Sequence, residues 1–272
     1  MSIASAFDMA ADEAVVLSDS NRLVVRLLPC DVVARITPVA HFASSEMEVE
    51  LVTRLALTDA PVAGLDARVE QRVFLRDGFK IAMWTYFEPA PMGVLSSIDY
   101  AQALNRLHVG LRQIEFTAPN VMERVAATRR DVVDRDVTPD LATADRALLT
   151  DMLRARRPSI VDRRAPEQLL HGEPHPWNVL ATTHGPLFID FENAACGPVE
   201  YDLAWAPAEV AERYPDADQD LVGECRGLVL AIVAAHRWSR DDQHPSGRRS
   251  GVAFLDVLRR GAPWPALDDV EW

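Results

Sequence analysis

The chain has 272 residues, 49% of them hydrophobic and 25% charged, a composition that excludes a disordered or fibrous protein. Lys plus Arg number 28 against 41 Asp plus Glu, a formal charge of -13 that argues against binding to nucleic acid or anionic lipid and leaves room for a cationic partner. No apolar run reaches the roughly 18 to 20 residues of a membrane span, since Leu228 to Ala235 is closed by His236 and Arg237. The acidic start, with Asp8, Asp12 and Glu13, is unlike a secretory leader, so a cytoplasmic location is expected. Three cysteines, Cys30, Cys196 and Cys225, lack a CxxC spacing and predict buried free thiols.

Val15 to Leu17 and Leu23 to Leu28 are aliphatic runs split by the turn formers Ser18, Asp19, Ser20 and Asn21, which predicts a hairpin. A third run, Val32 to Ile36, carries Arg35 inside an apolar strand pattern, where a charge needs a partner. From Ser44 to Leu57, Met47, Leu51 and Leu55 with Glu46, Glu48 and Glu50 predict a helix capped by Ser44 or Ser45, and Glu48 is the partner expected for Arg35. Val69 to Phe74 and Phe79 to Phe87 flank Asp77 and Gly78, a second hairpin signal. Pro89 and Pro91 end the strand pattern, and helices are expected over Ser96–Gln113, Pro119–Arg135 and Asp140–Val161. A strand-rich part, residues 1–88, thus precedes a mainly helical part, residues 89–272, an α+β organisation. The five arginines from Arg154 to Arg164 read as a solvated helix face.

The chemistry concentrates between Leu169 and Trp205. Pro174 and Pro176 exclude a helix over His171, Gly172, Glu173, His175, Trp177 and Asn178, so these polar side chains lie on a loop. A hairpin closing at His184 and Gly185 would deliver Asp190 beside Asn178. Glu173, Asn178 and Asp190 then converge, and oxygen ligands of this kind suit Mg2+. His171, Glu173 and His175 are not expected to form a zinc site, because such a site would leave Asn178 and Asp190 unexplained.

These residues resemble the aminoglycoside phosphotransferase family, small-molecule kinases that share the protein-kinase fold. His171, Gly172, Glu173 and Asn178 follow its H-G-D-x-H-x-x-N loop, with five positions from acid to asparagine. Ile189, Asp190 and Phe191 follow its metal-binding I-D-F, and Gly197, Pro198, Tyr201, Asp202, Leu203 and Ala204 resemble its G-x-P-x-x-D-L-A tail, with Pro198 one position ahead of the motif's proline. The resemblance implies a two-lobed kinase-like fold, with an antiparallel N-lobe sheet carrying one helix and a mainly helical C-lobe. It implies ATP-dependent phosphorylation of a hydroxyl on a small molecule, an aminoglycoside-like antibiotic or a metabolite. Asp190 and Asn178 would hold Mg2+, and Glu173 would orient the acceptor hydroxyl. Arg35, held by Glu48, would contact phosphate, and adenine would meet the backbone of Thr85, Tyr86, Phe87 and Glu88. His171 would anchor the loop by a backbone hydrogen bond, and Asp202 would brace the loop while capping its own helix.

Glu173 replaces the usual aspartate, and a shift of roughly 1.5 Å in a carboxylate can cost on the order of 10²-fold where geometry decides. The loop from Ser18 to Arg22 has no glycine to approach phosphate closely. A nucleotide-binding protein with little transfer activity is therefore the alternative reading. Trp177 is expected either to wall the acceptor pocket or to pack beneath the loop, Met83, Trp84 and Tyr86 to pack the core and hinge, and Glu192, Glu200 and Asp99 either to be solvated or to receive a cationic substrate.

Overall fold

The computed structural model describes residues 9, 11–19, 22–39, 45–91, 95–161 and 163–271. Ser20, Asn21 and the cap candidate Ser44 lie outside them, as does Asp8. Period-2 alternation of β-branched and aliphatic residues builds five strands: β1 (Ala11–Asp19), β2 (Leu23–Pro29), β3 (Val32–Pro38), β4 (Phe74–Arg76) and β5 (Phe79–Thr85). They form one antiparallel sheet in the order β1-β2-β3-β5-β4. Val25 and Leu27, Val32 and Ala34, and Ile81 and Met83 line one buried face. The other face carries Arg35 and Trp84 and packs against helix α1 (Ser45–Leu55), where Leu51, Val52 and Leu55 are buried. As an edge strand β1 keeps Val16 and Leu17 exposed.

The Asp77-Gly78 reversal has φ of 50° and 83°, the paired positive values of a two-residue turn whose twist matches its strands. The strand expected over Val69–Phe74 is corrected, because only Phe74 of that run belongs to β4. Asp66 Oδ1 accepts both the backbone N–H and Nε of Arg68 at 2.9 Å, and this side-chain turn diverts the chain so that Val69 plugs the sheet core instead of extending the strand.

Beyond residue 95 helices dominate. Ser96 caps α2 (Ser97–Gln113), its hydroxyl accepting from Asp99 N, and Asn120 caps α3 (Val121–Val133) by accepting from Met122 N. After α4 (Thr143–Val161) come the short strands β6 (Glu167–Leu170), β7 (Val179–Thr182), β8 (Gly185–Phe188) and β9 (Ala195–Pro198). β6 pairs with β9, and β7 with β8. The chain continues through α5 (Val199–Trp205), α6 (Ala208–Arg213), α7 (Gln219–Arg237) and α8 (Gly247–Arg260). The apolar run of α7 is the centre of a helical core shared with α3, α4 and α8, as a helix apolar on all sides requires. Among the described residues no helix is long and apolar enough to cross a membrane.

A second core fastens the sheet to the loop region. Leu51 and Leu55 of α1, Trp84 of β5, Leu104 and Leu107 of α2, Phe188, Phe191 and Leu203 of α5 form one buried cluster. Of the cysteines only Cys225 is buried, with Cys30 half-buried between β2 and β3 and Cys196 half-buried within β9, a correction to the expectation for all three.

Candidate active site

The H-G-E-x-H-x-x-N segment leaves β6 as a loop and ends in a single 3-10 turn, Pro176–Asn178, before β7. Gly172 has φ of +95°, and a Cβ there would stand 1.8 Å from Asn193 O, so the backbone crossing under the loop admits only glycine. Asp202, 0% exposed on α5, holds the loop from behind: its Oδ2 accepts His171 N and its Oδ1 accepts Gly172 N, both at 2.9 Å. His108 Nε2 lies 2.9 Å from Asp202 Oδ2, and His108 Nδ1 lies 2.7 Å from the Tyr214 hydroxyl. The Asp202 carboxylate can only accept, so His108 donates to it through Nε2. Asp202 braces the loop as expected. It does not cap its own helix, whose N-cap is Pro198 without a side-chain bond, because its oxygens are turned to the loop.

His171 is fully buried, its Nε2 on Ile189 O at 3.0 Å and its Nδ1 accepting Glu173 N at 3.3 Å, the loop-anchoring histidine the pattern implies. Burial pushes its pKa down, away from the charged form. Ile189 N donates to Asn178 O at 3.0 Å, the last rung of the β7–β8 ladder, and this sets Asp190 beside Asn178. Asn178 Nδ2 donates to Glu173 O at 3.0 Å and lies 3.3 Å from His175 Nε2, so the amide oxygen is the atom turned away from these partners.

Asp190 has φ of 70° and ψ of 64°, a left-handed conformation that Asp tolerates better than most residues and that recurs at functional sites. Burial alone would raise its pKa; the guanidiniums of Arg35 and Arg22 outweigh that and lower it. Arg35 Nη1 donates to Glu48 Oε1 at 2.6 Å, and Arg35 Nη2 lies 3.4 Å from Asp190 Oδ1. Glu48 Oε1 also accepts Phe191 N at 3.0 Å, so the pairing expected between β3 and α1 extends to the residue after Asp190. Glu48→Ala removes both bonds and leaves Arg35 with Asp190 alone; a loss of about 3 to 5 kcal/mol in stability is expected by urea unfolding, with Glu48→Gln losing less.

Glu173 lies 3.9 Å from Arg124 Nη2, and Arg124 also donates to Asn193, from Nη1 to the backbone oxygen and from Nη2 to Oδ1. Burial pushes the Glu173 carboxyl up to about 7, with Arg124 opposing. At the sheet end, Thr85 N donates to Gly64 O at 3.0 Å, Tyr86 lies beneath the Arg26 guanidinium at 3.6 Å, and Tyr86 OH bonds Glu88 Oε2 at 3.0 Å. A wide, open cavity of about 1120 Å3 lies elsewhere, between α1 and the end of α2, lined by Met47, Arg54, Phe116 and Leu169. Its charges are mixed and it touches none of the loop acids, so the loop geometry and not the cavity locates the site.

The family model described as the phosphotransferase enzyme family matches residues 13–228. The chain belongs to this family. It is accordingly a phosphotransferase with an alcohol group as acceptor, of the small-molecule kind. Among solved structures it is similar to amicoumacin kinase hAmiN in complex with AMP-PNP, Ca2+ and Ami, at 11% identity, covering 93% of this chain and 90% of that one with a TM-score of 0.70. The GDP complex of wild-type aminoglycoside 2'-phosphotransferase-IIIa is 18% identical, covering 95% and 96% with a TM-score of 0.67. Aminoglycoside phosphotransferase APH(3'')-Id from Streptomyces rimosus ATCC10970, in complex with ADP and streptomycin, is 18% identical, covering 95% and 99% with a TM-score of 0.57. No curated protein matches the sequence. The α+β kinase-like fold is thus shared with this group.

In this phosphotransferase several polar residues sit where the sequence did not put them. Glu200 is buried on α5 and accepts Asp218 N at 3.2 Å, and Glu192 pairs with Arg22, so neither is solvated; Asp99 is exposed and bonds its cap Ser96. Trp177 is 65% exposed and meets the edge of His175 at 5.6 Å, so it does not pack beneath the loop. Arg22, Arg124, Asn193, His108 and Tyr214 carry site contacts that no motif announced. Asp202→Asn should melt lower, at about 1 to 3 kcal/mol for each buried donor left unmatched, and should lose more turnover than nucleotide affinity. Equal turnover in the two proteins would show that the brace does not position the loop.

Proposed function

We propose that the protein transfers the γ-phosphoryl group of ATP to a hydroxyl of a small molecule, an aminoglycoside-like antibiotic or a metabolite, in the cytoplasm. The observation that carries this is the joining of Glu173, Asn178 and Asp190 at one hairpin mouth, held from behind by Asp202. The nucleotides and Ca2+ in the complexes of the similar kinases support a nucleotide and a divalent cation here. The donor set fits Mg2+, which keeps waters and takes one or two protein oxygens with the phosphates; Asp190 and Asn178 offer a carboxylate and an amide oxygen. Bound there, the cation would neutralise charge on the transferring group.

Each remaining role falls to a residue of the chain. Arg35, fixed by Glu48, binds phosphate as a two-armed fork rather than a point charge. The chain's single lysine, Lys80, is engaged by Glu46 at 2.8 Å. Glu173 accepts or orients the acceptor proton, and the backbone of Tyr86, Phe87 and Glu88 meets adenine, Thr85 having given its N–H to Gly64. The reading divides the chain into a nucleotide-binding lobe, residues 1–88, and a lobe carrying the loop and acceptor site, residues 89–272. A screen of hydroxyl-bearing compounds, cationic antibiotics included, for Mg2+-dependent ATP consumption tests it. Phosphorylated product from one compound supports transfer; tight MgATP binding with no turnover on any compound favours a binding protein.

A further inference from the structure

Arg22 stands at the foot of β2, and its guanidinium reaches a carboxylate 168 positions away in the chain. Nη1 donates to Asp190 Oδ1 at 3.0 Å while Nη2 pairs with Glu192. Its side chain is 12% exposed, and Arg35 approaches the same Asp190 oxygen at 3.4 Å. The space left among Arg22, Arg35, Glu48 and Lys80 is about 10 Å3, room for no more than one water.

Two facts of charge follow. A divalent cation bound to Asp190 at about 2.1 Å would face this guanidinium across one carboxylate, so cation and Arg22 compete for the same negative charge. Once displaced from Asp190, Arg22 keeps Glu192 on Nη2, but its shielded Nη1 needs another acceptor, and the planar guanidinium matches phosphate as well as it matches carboxylate. No glycine lies between Ser18 and Arg22, so a side-chain cation stands where a glycine-rich loop would offer backbone N–H groups to phosphate.

We propose that Arg22 is an exchangeable counter-ion. It holds Asp190 and Glu192 in the unloaded protein and passes to the nucleotide phosphates when a divalent cation takes Asp190. Metal and nucleotide therefore bind as a coupled pair, each raising the other's affinity by the same factor. The inference rests on the nucleotide-site reading above and adds to it a residue that no motif contains.

The test measures Mn2+ binding to the full chain by electron paramagnetic resonance, with and without ADP, and ADP binding by calorimetry with and without Mn2+. Arg22→Met should bind Mn2+ alone about tenfold more tightly than wild type, bind ADP with metal about tenfold more weakly, and show a smaller coupling factor. Arg22→Lys keeps the charge without the fork and decides the matter should Arg22→Met fail to fold; a rise of about threefold in Mn2+ affinity supports the exchange. Mn2+ affinity equal to wild type in the folded variants overturns it. Failure of the underlying reading looks different: wild type binds neither Mn2+ nor ADP, and Asp190→Asn changes neither measurement.

Discussion

Asp190→Asn is expected to lose metal-dependent nucleotide binding and about 10² to 10³-fold or more in turnover while remaining folded. The backbone at this position is left-handed, and Asn accepts that conformation as readily as Asp, so the substitution removes charge without backbone strain. Neither arginine is stranded. Arg22 keeps Glu192 and Arg35 keeps Glu48, so no buried cation loses its last partner. The change therefore falls on metal and phosphate binding more than on folding. Asn178→Ala is expected in the same direction with a smaller effect on the metal, and it also frees Glu173 O and His175 Nε2 from the amide. Calorimetry with Mg2+ and a non-hydrolysable nucleotide, beside circular dichroism, checks both. Unchanged metal dependence in both variants would sink the assignment.

The Glu173 series carries the second large effect. Glu173→Gln keeps the length of the side chain and leaves the metal oxygens in place, so nucleotide binding should persist while turnover drops by about 10²-fold or more. Glu173→Asp asks whether the site has adapted to the longer acid. The loop cannot slide to follow a shorter one: Asp202 pins His171 and Gly172, and Asn193 O lies against the Gly172 backbone. Turnover of Glu173→Asp should accordingly fall, by about tenfold to 10²-fold for a carboxylate misplaced by one methylene. A rise in rate would instead mark the chain as a decayed kinase, and equal rates in all three proteins would remove Glu173 from the mechanism.

The pH profile supplies an independent check. Burial holds the Glu173 carboxyl near 7, and the form able to accept a proton is the carboxylate, so the wild-type rate should climb as pH rises through that range and level off above it. Positive charge added by a bound cation favours the carboxylate, which places the limb at or below 7 with metal and nucleotide bound. In Glu173→Gln this limb should vanish.

Much of the plan was readable along the chain because it is written in short-range spacing. Alternation over β2, β3 and β5, the Asp77-Gly78 reversal, and acids at the start of α1 act within a few residues, where backbone sterics and helix electrostatics suffice. The loop from His171 to Asn178 and the hairpin delivering Asp190 are likewise local. Arg35 and Glu48 could be paired because a charge in an apolar strand demands a partner and the next helix offered one.

Tertiary structure alone decided the rest. Val69 looked like strand and became core, because Asp66 captures Arg68 before the ladder can extend. Glu200 looked like surface and is buried, since α5 lies between the loop and α7. His108 is 94 positions from Asp202 and 106 from Tyr214, and Arg22 is 168 from Asp190. No periodicity links residues so distant. Burial makes each of these groups expensive to leave unpaired, so each must find a partner, but which partner is set by the elements that packing brings alongside.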